Sequence, residues 1–295
     1  MTHVTLPQLG TFQVAESVTD VRLFVASAKR HGLSVAFVPT MGALHAGHVS
    51  LIERAQSECG CVIVSIFVNP QQFGPNEDFS RYPRPRELDI EICRRAGAQL
   101  VFYPAVETMY PAGFQTFVEV AGISDILEGR TRPGHFRGVA TIVTKLLLTV
   151  QAERAYFGQK DYQQQTLIRI MARELGFPTE IITCETMRDS DGLAMSSRNA
   201  YLNPTERKAG LCLFQALRIA KQRVLQREQS IGEIRTAMRQ HVEATPGAEL
   251  DYAVIVNPNT LVELIHVEPQ MVALIAARFG STRLIDNIVL ETPGS

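Results

Sequence analysis

Along the first two-thirds of the chain, short apolar runs alternate with stretches of helical period. Residues 18–30 repeat apolar positions at three- and four-residue spacing and close on His31-Gly32, which predicts a helix. Residues 34–38 read as a buried strand, 49–58 as a helix, and 61–68 (CVIVSIFV) as a strand rich in β-branched residues. The pattern continues with a helix over 87–96 ending at Gly97, a strand over 100–103, a helix over 138–150, and a short strand over 155–157. A helix over 162–175 stops at Gly176, and a strand follows over 179–183. Strands alternating with helices predict βαβ units. Near-continuous apolar strands predict a sheet covered on both faces. The expected fold class is therefore α/β, a Rossmann-like doubly wound parallel sheet.

After Arg188 the pattern changes. Residues 188–204 are polar and hold glycine and proline. Two helical stretches follow, 204–226 and 231–243, then three strand-like runs at 252–256, 272–276 and 284–289, separated by turn signals such as Asn257-Pro258-Asn259. This predicts a smaller C-terminal α+β domain with a mostly antiparallel sheet. The boundary is placed near residue 187, giving domains 1–187 and 188–295. A length of 295 residues suits two domains.

Composition narrows the function classes. A 45% hydrophobic content excludes general disorder. Lys+Arg number 29 against 30 Asp+Glu, so the total charge gives no reason to expect nucleic acid or a membrane surface as partner. The five cysteines, Cys59, Cys61, Cys93, Cys184 and Cys212, are odd in number and lack a CxxC pair, and read as buried reduced thiols. The N-terminus lacks the basic start and apolar core of a signal peptide. The longest apolar run, 140–150, is broken by Lys145 and is too short to span a bilayer. A cytoplasmic protein is expected.

Ligands of an open parallel sheet sit outside the carboxyl ends of its strands. Four predicted strand ends carry polar groups: Pro39 to His48, Asn69 to Gly74, Gly158 to Asp161, and a loop ending in Met195 to Asn199. His45 and His48 lie three apart at the mouth of a helix, with Gly47 allowing close approach. A helix start with two imidazoles is a site for phosphoryl oxygens. For an arbitrary HxxH the commoner outcome is one capping histidine and one surface histidine. A metal centre is a weaker reading, because Ala46-Gly47 supplies no third ligand. Lys160 suits phosphate, and Asp161 suits a helix cap or magnesium. Ser196, Ser197 and Arg198 suit an anion, and Gln72 and Gln164 suit a hydroxyl or carboxylate.

These segments together resemble the pantoate–β-alanine ligase family. The resemblance rests on PTMGALHAGH (39–48), SIFVNPQQF (65–73), LEGRTRPGHFRGV (127–139), YFGQKDYQQ (156–164), MRDSDGLAMSSRNAYL (187–202) and RLIDN (283–287), in the family's order and over nearly the whole chain. HAGH is the HxGH signature of a wider nucleotidyltransferase superfamily, and the other blocks narrow the choice to this ligase.

The resemblance implies an ATP-dependent condensation of (R)-pantoate with β-alanine through a pantoyl adenylate, releasing AMP and pyrophosphate. It implies ATP contacts from Met41, Gly42, Ala43, Leu44, His45, Ala46, Gly47 and His48, from Gly158, Gln159, Lys160 and Asp161, and from Met187, Met195, Ser196, Ser197 and Arg198. His45, His48 and Lys160 are the implied catalytic residues. Gln72 and Gln164 would hold pantoate, and Gln72 would also border β-alanine. Asn69, Tyr82, Arg132 and His135 are secondary candidates. Mg²⁺ is implied with ATP as co-substrate, with Asp89 as the candidate ligand because the family's paired acids read Leu88-Asp89 here. No tightly bound organic cofactor is implied. A homodimer is implied, with residues 1–187 binding ATP and pantoate and residues 188–295 acting as a lid.

Two other functions remain open. One is a nucleotidyltransferase that stops at a nucleotide adduct, against which the neutral Gln72 and Gln164 speak. The other is a nucleotide-binding regulator without catalysis, against which the intact set of His45, His48, Lys160, Ser196, Ser197 and Arg198 speaks.

Overall fold

The computed structural model describes residues 10–75 and 77–293. The chain divides into two compact units. The first runs to Gly158 and resumes over Leu167–Cys184, and the second comprises Gln159–Thr166 and the chain from Glu185 onward. The linear boundary expected near residue 187 does not include that short detour.

The first unit holds β1 (Gln13–Ala15), α1 (Val18–Arg30), β2 (Val35–Thr40), α2 (Ala46–Glu58), β3 (Cys61–Ile66), α3 (Arg86–Arg95) and β4 (Leu100–Phe102). Two single-turn helices follow, α4 (Val106–Met109) and α5 (Glu128–Thr131), then α6 (His135–Val150) and β5 (Arg154–Gly158). Helix α7 (Tyr162–Glu174) begins in the second unit and ends in the first, ahead of β6 (Glu180–Cys184). The six strands form one parallel sheet in the order β1-β4-β3-β2-β5-β6. The chain builds outward through β3 and β4, then returns to place β5 on the other side of β2. The order thus reverses between β2 and β5, where such sheets bind ligands.

Alternate residues of the strands face opposite layers. Ala36 and Val38 of β2 and Val62, Val64 and Ile66 of β3 share one apolar cluster with Leu51, Ile52 and Ala55 of α2 and Cys93 of α3. On the other face α1 and α6 pack together and against β2. Both faces are covered, so β2 and β3 are apolar almost throughout.

The second unit contains α8 (Pro204–Leu225), α9 (Ile231–Glu243), β7 (Ala248–Val256), β8 (Gln270–Phe279) and β9 (Thr282–Glu291). The strands form an antiparallel sheet in the order β7-β8-β9. Leu213, Ala216, Leu217 and Ala220 of α8 and Ile234 and Met238 of α9 pack on Ala273, Ile275 and Ala277 of β8. A reciprocal cap starts α8: Asn203 Oδ1 accepts from the Glu206 N–H, and the Glu206 carboxylate accepts from the Asn203 N–H.

The α/β class and the α+β class of the second unit are both observed. Strand β1 was absent from the sequence-based expectation because three residues at a sheet edge carry no readable period. Helix α6 starts at His135, before the apolar run at 138, because Gly134 turns the chain with φ +81°. Among the described residues all five cysteines are free. Burial pushes the Cys61 and Cys93 thiols up to about 12, so both are held as neutral thiols. Among the described residues no helix is long and apolar enough to cross a membrane.

Candidate active site

The chain leaves β2 at Thr40 and turns into α2 through Met41–His45. Gly42 adopts φ +82° and Ala43 φ +51°. A Cβ on Gly42 would lie 2.8 Å from Asp89 Oδ2 and 3.0 Å from an Ile66 methyl, so only glycine fits. Asp89, on α3, explains the turn. Its Oδ2 accepts from the Ala43 N–H at 2.8 Å and its Oδ1 from the Leu44 N–H at 2.8 Å. Asp89 is 1% exposed, and burial raises its pKa against the lowering effect of those two bonds.

This geometry gives the candidate metal ligand a structural role. Each Asp89 oxygen accepts from a backbone N–H group, so Asp89 braces the loop. Among the described residues no group of three or more His, Cys, Asp or Glu side chains could hold a metal ion.

The two histidines cap α2 reciprocally. His45 Nδ1 accepts from the Gly47 N–H at 3.1 Å, and His48 Nδ1 accepts from the His45 N–H at 3.3 Å. Their ring centroids are 4.2 Å apart. An accepting Nδ1 carries no proton, so in the neutral ring the proton sits on Nε2. The crossed cap therefore sets both tautomers and gives each ring an Nε2–H donor at a helix start. Capping and ligand binding were alternatives for the sequence alone; here Nδ1 of each ring serves the cap.

After β3, Pro70–Gln72 form a 3₁₀ turn capped by Asn69, whose Oδ1 accepts from the Gln71 N–H at 3.2 Å and from Tyr110 Oη at 2.8 Å. Asn69 Nδ2 donates to Gln72 Oε1 at 3.1 Å and to the Gly138 carbonyl at 3.1 Å, and Gln72 Nε2 donates to the Met41 sulfur at 2.9 Å. Gly138 lets α6 press on this turn, since a Cβ there would meet the Gln71 carbonyl at 2.2 Å. Gln72 is 7% exposed, with a second lone pair on Oε1 and a second N–H on Nε2 beyond these bonds.

Beneath the turn, His135 Nδ1 donates to the Gln72 carbonyl at 2.7 Å. Arg132 Nη1 donates to His135 Nε2 at 3.0 Å and Nη2 to the Gln72 carbonyl at 3.3 Å, while its fork grips Glu77 at 2.7 and 2.6 Å. Arginine only donates, so His135 Nε2 accepts and Nδ1 carries the proton. Burial, then the Arg132 charge, pushes His135 down to about 4, which keeps it neutral. Tyr82 packs its ring edge-on against Phe73, at 5.8 Å between centroids.

In the second unit, Gln159 and Lys160 form the turn before α7, with Asp161 exposed just ahead of that helix and Gln164 half-buried in its first turn. Ser196 caps the 3₁₀ turn Ser197–Tyr201 by accepting from the Arg198 N–H at 3.3 Å. Met195 donates its N–H to the Met187 carbonyl at 2.9 Å, closing residues 187–195 into a hairpin-like loop. Arg207 on α8 holds this loop through ion pairs to Asp189, at 2.7 Å, and to Asp191.

The structure brings His45, His48, Gln72 and Asn69 to the carboxyl ends of β2 and β3 in the first unit. In the second, Gln159 to Gln164 form the turn before α7 and its first turn, and Met187 and Met195 to Arg198 lie on the loop between β6 and α8. Sequence reasoning missed Glu77, Tyr110, Arg188, Asp286 and Asn287. Of these Arg188, inside the 187–202 block, and Asp286 and Asn287, inside the RLIDN block, carried a signal.

Fold and site define the class first: an α/β protein with a doubly wound parallel sheet whose switch-point loop carries the HxGH signature. The family model for pantoate-beta-alanine ligase matches residues 13–289. The pantothenate synthetase of Moorella thermoacetica is 50% identical over 279 residues, covering 95% of this chain and 99% of that protein. The crystal structure of pantothenate synthetase from Thermus thermophilus superposes with a TM-score of 0.89 at 46% identity, covering 94% of this chain and 99% of that one. The pantoate-beta-alanine ligase from Francisella tularensis, complexed with beta-gamma ATP and beta-alanine, gives a TM-score of 0.75 at 34% identity, covering 95% and 98%. The chain belongs to the pantoate–β-alanine ligase family and is an enzyme of that kind.

Proposed function

We propose that the enzyme joins (R)-pantoate to β-alanine in two steps, with ATP as co-substrate. In the first, a pantoate carboxylate oxygen attacks the α-phosphorus of ATP, the bond to pyrophosphate breaks, and pantoyl adenylate forms. In the second, the β-alanine amine attacks the activated carbonyl carbon, the bond to AMP breaks, and the amine gives up a proton. Neither step needs a protein nucleophile. The protein supplies position and charge stabilisation.

The observation that carries this reading is the crossed imidazole cap. It presents two Nε2–H donors at the start of α2, where backbone N–H groups and the helix dipole also favour an anion. His45 and His48 donate to phosphate oxygens as charge builds at phosphorus, and Met41–His48 lines the nucleotide. Gly158–Asp161 and Met187 contribute further ATP contacts. Lys160 places its charge on phosphate, and Met195, Ser196, Ser197 and Arg198 bind the triphosphate. Gln72 and Gln164 hold pantoate through neutral amides, and Gln72 borders β-alanine. Asn69 and His135, which fix the amide and carbonyl of Gln72, support its place in that group.

Magnesium, when bound with the nucleotide, would offset phosphate charge, and Asp89 is assigned to the loop. The working assembly is a homodimer, supported by the family resemblance and tested by light scattering. The cytoplasm is the proposed compartment, which the free thiols fit.

Pantoate labelled with ¹⁸O in its carboxylate tests the chemistry. Attack of that oxygen on phosphorus transfers one label into AMP. AMP without label contradicts the adenylate route.

A further inference from the structure

The RLIDN block at 283–287 has no role in the chemistry above, yet two of its side chains are almost wholly buried and charged or polar. Asp286 is 4% exposed and Asn287 2%. Asn287 Nδ2 donates to the carbonyl of Lys160 at 2.9 Å and to that of Gln159 at 3.0 Å. Its Oδ1 accepts from Gln159 Nε2 at 3.2 Å. Both amide protons and the amide oxygen thus grip the turn that carries Lys160. Tyr162 Oη adds a bond to the Pro258 carbonyl at 3.3 Å. These contacts explain why Gln159–Thr166, which lies between β5 and the rest of α7 in sequence, groups with the C-terminal unit.

Asn287 is itself held. Its N–H donates to Asp286 Oδ1 at 2.8 Å, and its carbonyl accepts from Arg188 Nη2 at 3.3 Å. The Arg188 fork pairs with both Asp286 oxygens, at 2.6 and 2.9 Å, and its guanidinium carbon lies 3.9 Å from the centroid of the Phe214 ring. Arg188 Nη1 also donates to the Gly192 carbonyl at 3.2 Å. Arg188 follows Met187 directly and bridges to Ala194 next to Met195. One connected network therefore fixes two backbone segments, the Lys160 turn and the 187–195 loop. A bidentate, stacked arginine leaves few alternative geometries.

We infer that Asn287, set by the Arg188–Asp286 pair, is a positioning residue for Lys160. It has no contact with a reacting group, and acts by fixing the backbone from which the Lys160 side chain extends. A shift of about an ångström at such a residue is enough to cost a large factor in rate. The inference rests on the reading that Lys160 meets phosphate.

A double-mutant cycle tests it, with pantoate-dependent pyrophosphate release as the readout. Asn287→Ala is expected to slow that release at least tenfold, and Asn287→Ser, which keeps one donor, to slow it less. In a Lys160→Ala background, Asn287→Ala is expected to cost almost nothing more, because the group it positions is gone. Losses that multiply in the double variant would mean that Asn287 serves stability alone, and the inference falls. A Lys160→Ala enzyme with wild-type release sinks the reading of Lys160 itself, and the inference with it. If Asn287→Ala does not fold, the same cycle run with Asn287→Ser decides on the same criterion.

Discussion

His45 and His48 show how one residue type meets two demands. Each imidazole spends Nδ1 on a backbone N–H of its own helix start, which fixes the ring and puts the proton of the neutral ring on Nε2. Replacing His48 with alanine removes a cap and a donor together. Adenylate formation is expected to fall at least about a hundredfold, the scale of one transition-state donor, in a pantoate-dependent pyrophosphate assay. His135 is the contrasting case, a histidine kept neutral by burial and by Arg132. Its folded pKa, pushed down to about 4, lies below the ordinary value of about 6.5. Between those values the unfolded chain binds the extra proton and the folded chain does not. Stability contributed by the neutral ring is therefore present above about 6.5 and lost as pH falls towards 4. Urea unfolding of the wild type should weaken over that window, and His135→Asn should flatten the slope. An unchanged slope contradicts the assignment. The residues HAGH could be read from sequence as a candidate phosphate site, but the crossed cap could not, because imidazole is an unusual capping group and the expected capping residues are Ser, Thr, Asp and Asn.

At the scale of elements, the candidate residues of each unit sit on turns held from behind. Asp89 on α3 holds the loop before α2, Arg132 and His135 hold the 3₁₀ turn after β3, and Asn287 on β9 holds the turn before α7. Asp89→Asn separates loop brace from metal ligand. An asparagine amide turns an N–H against one of two backbone donors, so the KM for ATP should rise about tenfold, a loss on the scale of one charge-assisted hydrogen bond. The magnesium concentration giving half-maximal activity should stay unchanged, and a large rise in that concentration would restore Asp89 as a ligand. The helices and strands with clear period, such as Ile231–Glu243 and Cys61–Ile66, could be read from the sequence. The supports could not. Asp89's hold on the loop before α2 was hidden because an acid on a helix carries no sign of what it faces, and Asn287 drew no role because its partners lie 127 and 128 positions away.

The whole molecule is a parallel sheet with a switch point between β2 and β5, followed by an antiparallel α+β unit. That class was legible because covered parallel strands are apolar throughout and amphipathic helices are not. The assignment of Gln159–Thr166 to the C-terminal unit was not legible, since it depends on side-chain bonds that no local pattern encodes. The described residues offer donors and cations at the strand ends, which is the provision the proposed adenylate-forming reaction requires. The most direct test is pyrophosphate release from ATP and pantoate with β-alanine left out. We predict a burst of pyrophosphate equal to the enzyme, dependent on pantoate, with AMP released only after β-alanine is added. Pyrophosphate that appears only in the presence of β-alanine would contradict the two-step account.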